Sequence, residues 1–220
     1  MTHHAWEGAP PPAAPGPPGR LGREAPVALA VVAGVLAVVV ALLQVATAVA
    51  AVPAARDLRD VLENGGSTGL FGWYTALAVL ILPVLVASYV VTCLWLQQAR
   101  ANTEVIRPGV RHQRGSIWVW LAWWVPIVSL WFPLQVVRGV AEGSATTGRR
   151  PGLGLWWTGW LVWLFSNRAS AQVVGSSDPE VVGTLPVVEG IGTLALVVAC
   201  VQWCRLVRWI TTEQQAALGS

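Results

Sequence analysis

One carboxylate in this chain lies inside a long uncharged run: Glu189, in GTLPVVEGIGTLALVV. An ionisable side chain within an apolar span is a functional candidate by default, because burying it is costly unless something binds or pairs with it. Its chemistry depends on where its helix begins. A start near Val181 places Glu189 about 12 Å along the axis, deep enough to hold a proton or cation or to pair with an arginine. A start at Pro186, where proline is tolerated in the first turn, leaves Glu189 at the interface, where the helix dipole favours negative charge. The interfacial position is the expected one.

The other reactive side chains assemble nothing catalytic. Cys93, Cys200 and Cys204 lie in apolar segments, and Cys200 and Cys204, four apart, share a helix face. A zinc site takes four ligands or three plus water, and His3 and His4 in the terminal tail and His112 in a loop are not placed to supply the rest. The cysteines therefore read as small apolar fillers. There is no HExxH, and GLGLWW lacks the third glycine and preceding strand of a dinucleotide fingerprint. No catalytic, metal-binding or cofactor-binding residue is nominated, and the chain is expected not to be an enzyme.

Aromatic rings are the other chemical resource. Nine of the fourteen tryptophans fall between 118 and 163, and Trp156, Trp160 and Trp163 recur at i, i+4, i+7 as one stripe. Ring faces at that spacing can bind a lipid, a quinone or a cationic group. They also pack on one another and anchor at headgroups, which is the expected role here.

Positioning these residues takes membrane helices. The chain is 55% apolar and 11% charged, against about 25% charged for a soluble domain. Thirty-one residues separate Glu24 from Arg56 and thirty-six separate Glu63 from Arg100, all uncharged, where about 20 suffice to cross the hydrocarbon core. The chain reads as an all-α polytopic membrane protein. Spans are expected at about 27–52, 70–96, 151–167 and 186–209 within a membrane domain 27–212. A Pro-, Gly- and Ala-rich tail, 1–26, is expected to be disordered, since it holds seven prolines and little to bury, and 213–220 forms a C-terminal tail.

The stretch 117–137 has length enough to be a further span, yet two features oppose a plain crossing. Pro126 and Pro133 each remove a backbone donor inside it, and the carbonyls so freed need other partners. Trp118, Trp120, Trp123, Trp124 and Trp131 run through it instead of gathering at its two ends. The arginines decide between the arrangements, because cytoplasmic loops carry the excess of basic residues. All fourteen basic residues are arginine; five full crossings would divide them seven and seven, whereas a segment that dips in and returns divides them eleven and three. Four spans plus a re-entrant or interfacial Trp-Pro element, with both termini cytoplasmic, is the expected topology; five full spans is the alternative. The arginines spread over loops, as membrane anchors do, and form no nucleic-acid surface.

Trp118, Trp123, Trp124, Pro126, Ile127, Leu130, Trp131, Pro133, Gln135, Val136 and Val137 resemble the core pattern of the bacterial membrane family called domain of unknown function 4328. That pattern is a W-x-P-I-x-N-L-W-x-P-x-Q-V-V run after a basic loop and before a paired-tryptophan helix. Trp95, Leu96, Arg100 and Asn102 are similar to its approach, and Ser144, Leu155, Trp156, Trp157, the run Leu206–Thr211 and Gln214 to its later positions. Ser129 stands where the pattern has asparagine, and Leu134 where an aromatic is usual. The resemblance covers roughly residues 70–215. It implies a membrane location and a shared architecture, and no activity.

The expected function is a non-catalytic scaffold or interaction module of the bacterial envelope, partnered by the bilayer and by another protein or a second copy. A small transporter, or a protein binding a lipid or small molecule through the broken Trp-Pro helix and Glu189, is the alternative, since broken helices line substrate sites in transporters.

Overall fold

The computed structural model describes residues 24–65, 69–109, 112–147 and 151–219. The expected disordered tail falls, up to residue 23, outside them. Seven α-helices form, and no strand is present among the described residues: α1 (Val27–Asn64), α2 (Leu70–Ile106), α3 (Trp118–Leu121), α4 (Phe132–Ser144), α5 (Gly154–Val174), α6 (Pro179–Val182) and α7 (Leu185–Leu218). A single 3₁₀ turn, Val128–Leu130, sits between α3 and α4.

Among the described residues three helices are long and apolar enough to cross a membrane: α1, α2 and the α6–α7 stretch. The expected count of four spans is therefore corrected to three. The fourth candidate, α5, has 21 residues and sufficient length, but four tryptophans and the polar run Ser166-Asn167-Arg168 make it too polar. Each long helix also outruns its apolar core. α1 continues through Arg56–Asn64, α2 through Arg100–Ile106, and α7 through Leu218, past the boundary at 212 where a tail was expected.

The outward faces of α1, α2 and α7 carry Val31, Val35, Leu42, Val49, Val79, Leu82, Leu194 and Val201 exposed. A continuous apolar surface of this kind belongs against lipid. Inward, α1 packs along α2 and α7, and α5 along α7, while α2 and α5 are left apart. Small residues set the spacing. Ala30, Ala33 and Ala41 are buried on α1, as expected of residues that let a second helix come close. One tight approach is at Gly159 of α5, where a Cβ would stand 2.7 Å from the Ala195 carbonyl oxygen of α7. Gly159→Val is expected to force α5 off α7 and to destabilise the protein by about 1–3 kcal/mol. The fall should show as a lower thermal midpoint in detergent, larger than for Gly154→Val, whose Cβ meets open space.

The stretch 117–137 folds back on itself. Trp118, at its start, packs edge-on against Phe132, at its return, with ring centroids 4.6 Å apart. Arg114 donates from Nε to Gln135 Oε1 at 2.8 Å and stacks 3.8 Å over the Phe132 ring. Gly139 faces the His112 ring, and Arg107 donates to the carbonyls of Glu142 and Ala145. Both ends of the hairpin thus lie beside the C-terminal end of α2. Its tip is a three-residue turn around Ile127, closed by Val128 N–H donating to the Pro126 carbonyl at 2.7 Å. Ile127 has φ 66° and ψ −57°, a strained region for a β-branched residue. The two prolines have different places: Pro126 opens the turn, and Pro133 sits in the first turn of α4, where its missing N–H breaks no bond.

One end of the bundle therefore gathers the start of α1, the end of α2, the hairpin's two arms and the end of α7. The opposite end holds the end of α1 and the start of α2, where Phe71 N–H donates to Asp57, and the α5–α7 junction, where Gly183 lies against Arg59.

Candidate functional site

The gap between α2 and α5 is a cavity of about 420 Å³, within the range of about 300–1,000 Å³ that small ligands occupy. Its floor is Val40 of α1 with Leu196, Ala199 and Trp203 of α7, and its roof is Trp123, Trp124, Pro126 and Ser129 of the hairpin. α5 supplies Trp156, Trp160, Leu164 and Arg168, four residues at successive i+4 steps and so one face of the helix. α2 supplies Ser88, Tyr89 and Thr92 opposite them. The wall is mostly aromatic and aliphatic, with four hydroxyl-bearing side chains and one arginine.

The rings are held in place by hydrogen bonds and edge contacts. Trp156 stacks on Trp203 at 5.2 Å, Trp203 meets Trp95 edge-on at 5.7 Å, and Trp123 meets Trp160 edge-on at 6.0 Å. Trp157 is buried behind this wall and donates from Nε1 to the Leu130 carbonyl at 3.0 Å, tying the hairpin to α5. Tyr89 donates to the Trp120 carbonyl at 2.8 Å and packs edge-on to Trp124 at 5.4 Å. Of the motif residues, Trp123, Trp124, Pro126 and Trp156 line the cavity; Trp118, Leu130, Pro133, Gln135 and Trp157 hold the hairpin; Trp131 is exposed against Phe132. Ser129 is also on the lining.

Glu189 lies behind the aromatic wall. α7 begins at Leu185 with Pro186 in its first turn, as the proline signals, so Glu189 falls in the second turn; there it is 3% exposed. Its carboxyl accepts from Gln44 Nε2 of α1 and from the Tyr74 hydroxyl of α2, each at 2.8 Å. Gln44 Oε1 in turn accepts from Trp163 Nε1 of α5 at 3.1 Å, which fixes the amide's orientation. Thr193 adds a long bond, 3.5 Å, to the Gln44 carbonyl. Four helices thus meet on one carboxyl, and among the described residues no basic side chain pairs with it. The Trp163 ring lies 4.9 Å from Trp160 of the cavity wall.

A second buried polar cluster closes the end of the bundle where the hairpin arms lie. Gln214 of α7 donates to the Ala99 carbonyl at 2.8 Å and to Ser144 Oγ at 2.9 Å, and accepts from Asn102 Nδ2 at 3.2 Å. Trp95 donates to Thr211 Oγ1 at 3.3 Å beside them. Glu213 accepts from the backbone N–H and hydroxyl groups of both Thr146 and Thr147, fastening the turn after α4 to α7. In the adjoining loop, His112 shares a 3.0 Å hydrogen bond with Thr103. Burial, and then the neighbouring Arg100, hold its imidazole below the ordinary value of 6.5, with Glu104 opposing them.

The residues whose resemblance to the family looked scattered, Trp95, Asn102, Ser144, Thr211 and Gln214, are in this one cluster. Sequence reasoning missed Gln44, Tyr74 and Trp203. Gln44 carried a signal, being the one polar amide in the apolar run from Ala25 to Ala55. Among the described residues no three His, Cys, Asp or Glu side chains come together as metal ligands.

No curated protein and no solved structure matches the chain. The pattern described as Domain of unknown function (DUF4328) matches residues 66–212, well over half the chain and the whole Trp-Pro hairpin with its supports, and the chain belongs to that family.

Proposed function

We propose that this is a non-catalytic membrane protein that holds a lipid-like molecule in the cavity between α2 and α5. The observation that carries this reading is the cavity itself: an aromatic chamber of about 420 Å³, left by two helices that do not close on each other and roofed by a hairpin whose tip is strained. A scaffold built only to present a surface has no use for such a gap, since a packed core is more stable than a void. The polar residues at the cavity, Ser88, Thr92, Ser129 and Arg168, orient a ligand; they form no acid, base and nucleophile set that would turn one over.

The test is mass spectrometry of lipids retained by the protein after purification in a mild detergent. Ser88→Trp fills the cavity from α2 and is expected to remove the retained species while the helical circular dichroism is kept. Equal retention by the wild type and Ser88→Trp would overturn the reading.

The proposed setting is a bacterial cytoplasmic membrane, crossed by the three long helices, with the hairpin re-entrant from the cytoplasm and α5 packed along α7 inside the bundle. Arginine placement supports it: Arg100, Arg107, Arg114, Arg138, Arg205 and Arg208 lie toward the hairpin end, and Arg56, Arg59 and Arg168 toward the other. With the native cysteines replaced, Gln113→Cys is expected to resist an impermeant thiol reagent until cells are lysed, and Ser177→Cys to react in intact cells. The reverse pattern would overturn this orientation.

A further inference from the structure

We infer that the cavity takes a membrane lipid with an anionic headgroup, and that Arg168 is the residue that receives that headgroup. The inference rests on the cavity being a binding site and adds the ligand class. Three features of the wall lead to it.

The cavity lies in the gap between α2 and α5 on the lipid-facing side of the bundle. Val86 of its α2 wall is itself exposed toward the bilayer. A ligand that reaches it moves laterally within a leaflet, as a lipid does.

The one charged side chain of the cavity wall, Arg168, stands at one end of it. Trp156, Trp160, Leu164 and Arg168 follow one another on one face of α5, so the arginine stands about 18 Å from Trp156. On α5 the rings of Trp156 and Trp160 and the Leu164 side chain occupy that distance and suit an acyl chain. Arg168 follows Ser166 and Asn167, where α5 turns from apolar to polar, which is the depth of a headgroup.

The arginine is unspent. Among the described residues Arg168 makes no hydrogen bond or ion pair. A guanidinium offers a planar fork of donors that fits phosphate oxygens in pairs. An uncharged or cationic amphiphile would leave that fork unused.

The experiment compares phosphatidylglycerol with phosphatidylcholine of the same acyl chains, each titrated onto delipidated protein and counted as adducts by native mass spectrometry. The wild type is expected to prefer phosphatidylglycerol by about fivefold, the effect of one arginine on an anionic lipid. Arg168→Gln is expected to abolish the preference. Arg56→Gln, an exposed arginine toward the same end of the bundle but away from the cavity, is expected to keep it.

A preference that survives Arg168→Gln, or one that falls equally in both variants, overturns the inference, the second outcome assigning it to diffuse surface charge. Equal binding of the two lipids by the wild type, still lost in Ser88→Trp, also overturns it while leaving the cavity as a lipid site. Binding of both lipids that Ser88→Trp leaves intact overturns the cavity reading and this inference together. Recovery of a free fatty acid in place of phospholipid from the purified protein would overturn the assignment to a membrane lipid.

Discussion

Gln44→Leu is expected to destabilise the bundle by about 1–3 kcal/mol, because it removes two interhelical hydrogen bonds that in a membrane are worth about 0.6–1.7 kcal/mol each. Leucine nearly matches glutamine in volume, so the loss is polar and not a cavity. Trp163 Nε1 and one oxygen of Glu189 both lose their Gln44 partner, and the carboxyl keeps Tyr74 alone. Tyr74→Phe removes a single bond and is expected to do less, about 1 kcal/mol. Glu189→Gln should also be mild, since an amide can accept from Gln44 and donate to the Tyr74 oxygen. The order Gln44→Leu, then Tyr74→Phe and Glu189→Gln, is read from unfolding midpoints in a detergent titration. A Gln44→Leu protein as stable as the wild type would mean that the four helices are not held together through this carboxyl.

That clamp could not be read from the chain, and the reason is physical. Gln44 and Glu189 are 145 residues apart and Tyr74 is 115 from Glu189; their meeting depends on the axial register of three helices, which apolar periodicity does not set. What the chain does display is each residue's local context. Pro186 lies in the first turn of α7, and from there the place of Glu189 in the second turn follows by length alone. The burial comes from outside that helix, because α1 and α2 carry donors to the same depth.

The hairpin was more legible. Pro126 and Pro133 interrupt a run that could otherwise be one helix, and the arginine asymmetry favours a return to the starting side. Its roof over a cavity was not, since that requires α2 and α5 to stay apart. The count of spans erred at α5, where tryptophan is large and buried yet contributes little hydropathy. A helix rich in it can line a bundle without resembling a lipid-exposed span.

Gln214→Leu is the second large effect expected, about 3 kcal/mol for three lost hydrogen bonds at about 1 kcal/mol each. It acts at the other cluster and on a different part of the fold. Gln214 is fully buried and reaches two other helices at once: α2 at Ala99 and Asn102, and the last turn of α4 at Ser144. Asn102 Oδ1 already has no hydrogen-bond partner in this region, so the cluster has no spare donor with which to compensate. The neighbouring Glu213 still grips Thr146 and Thr147, which lets the variant separate two outcomes. If Gln214 secures the hairpin arm, Gln214→Leu exposes Arg138 to trypsin before the bundle unfolds, and Glu213→Gln adds to the effect. If it secures α7 to α2, cleavage and global unfolding occur together at a lowered midpoint. Ser144→Ala, which removes one of the three bonds, should lower the midpoint by about a third as much; an equal loss would show that the cluster breaks as a unit. An unchanged midpoint in Gln214→Leu would show instead that the apolar contacts of Trp95, Val140 and Ile210 hold this end without it.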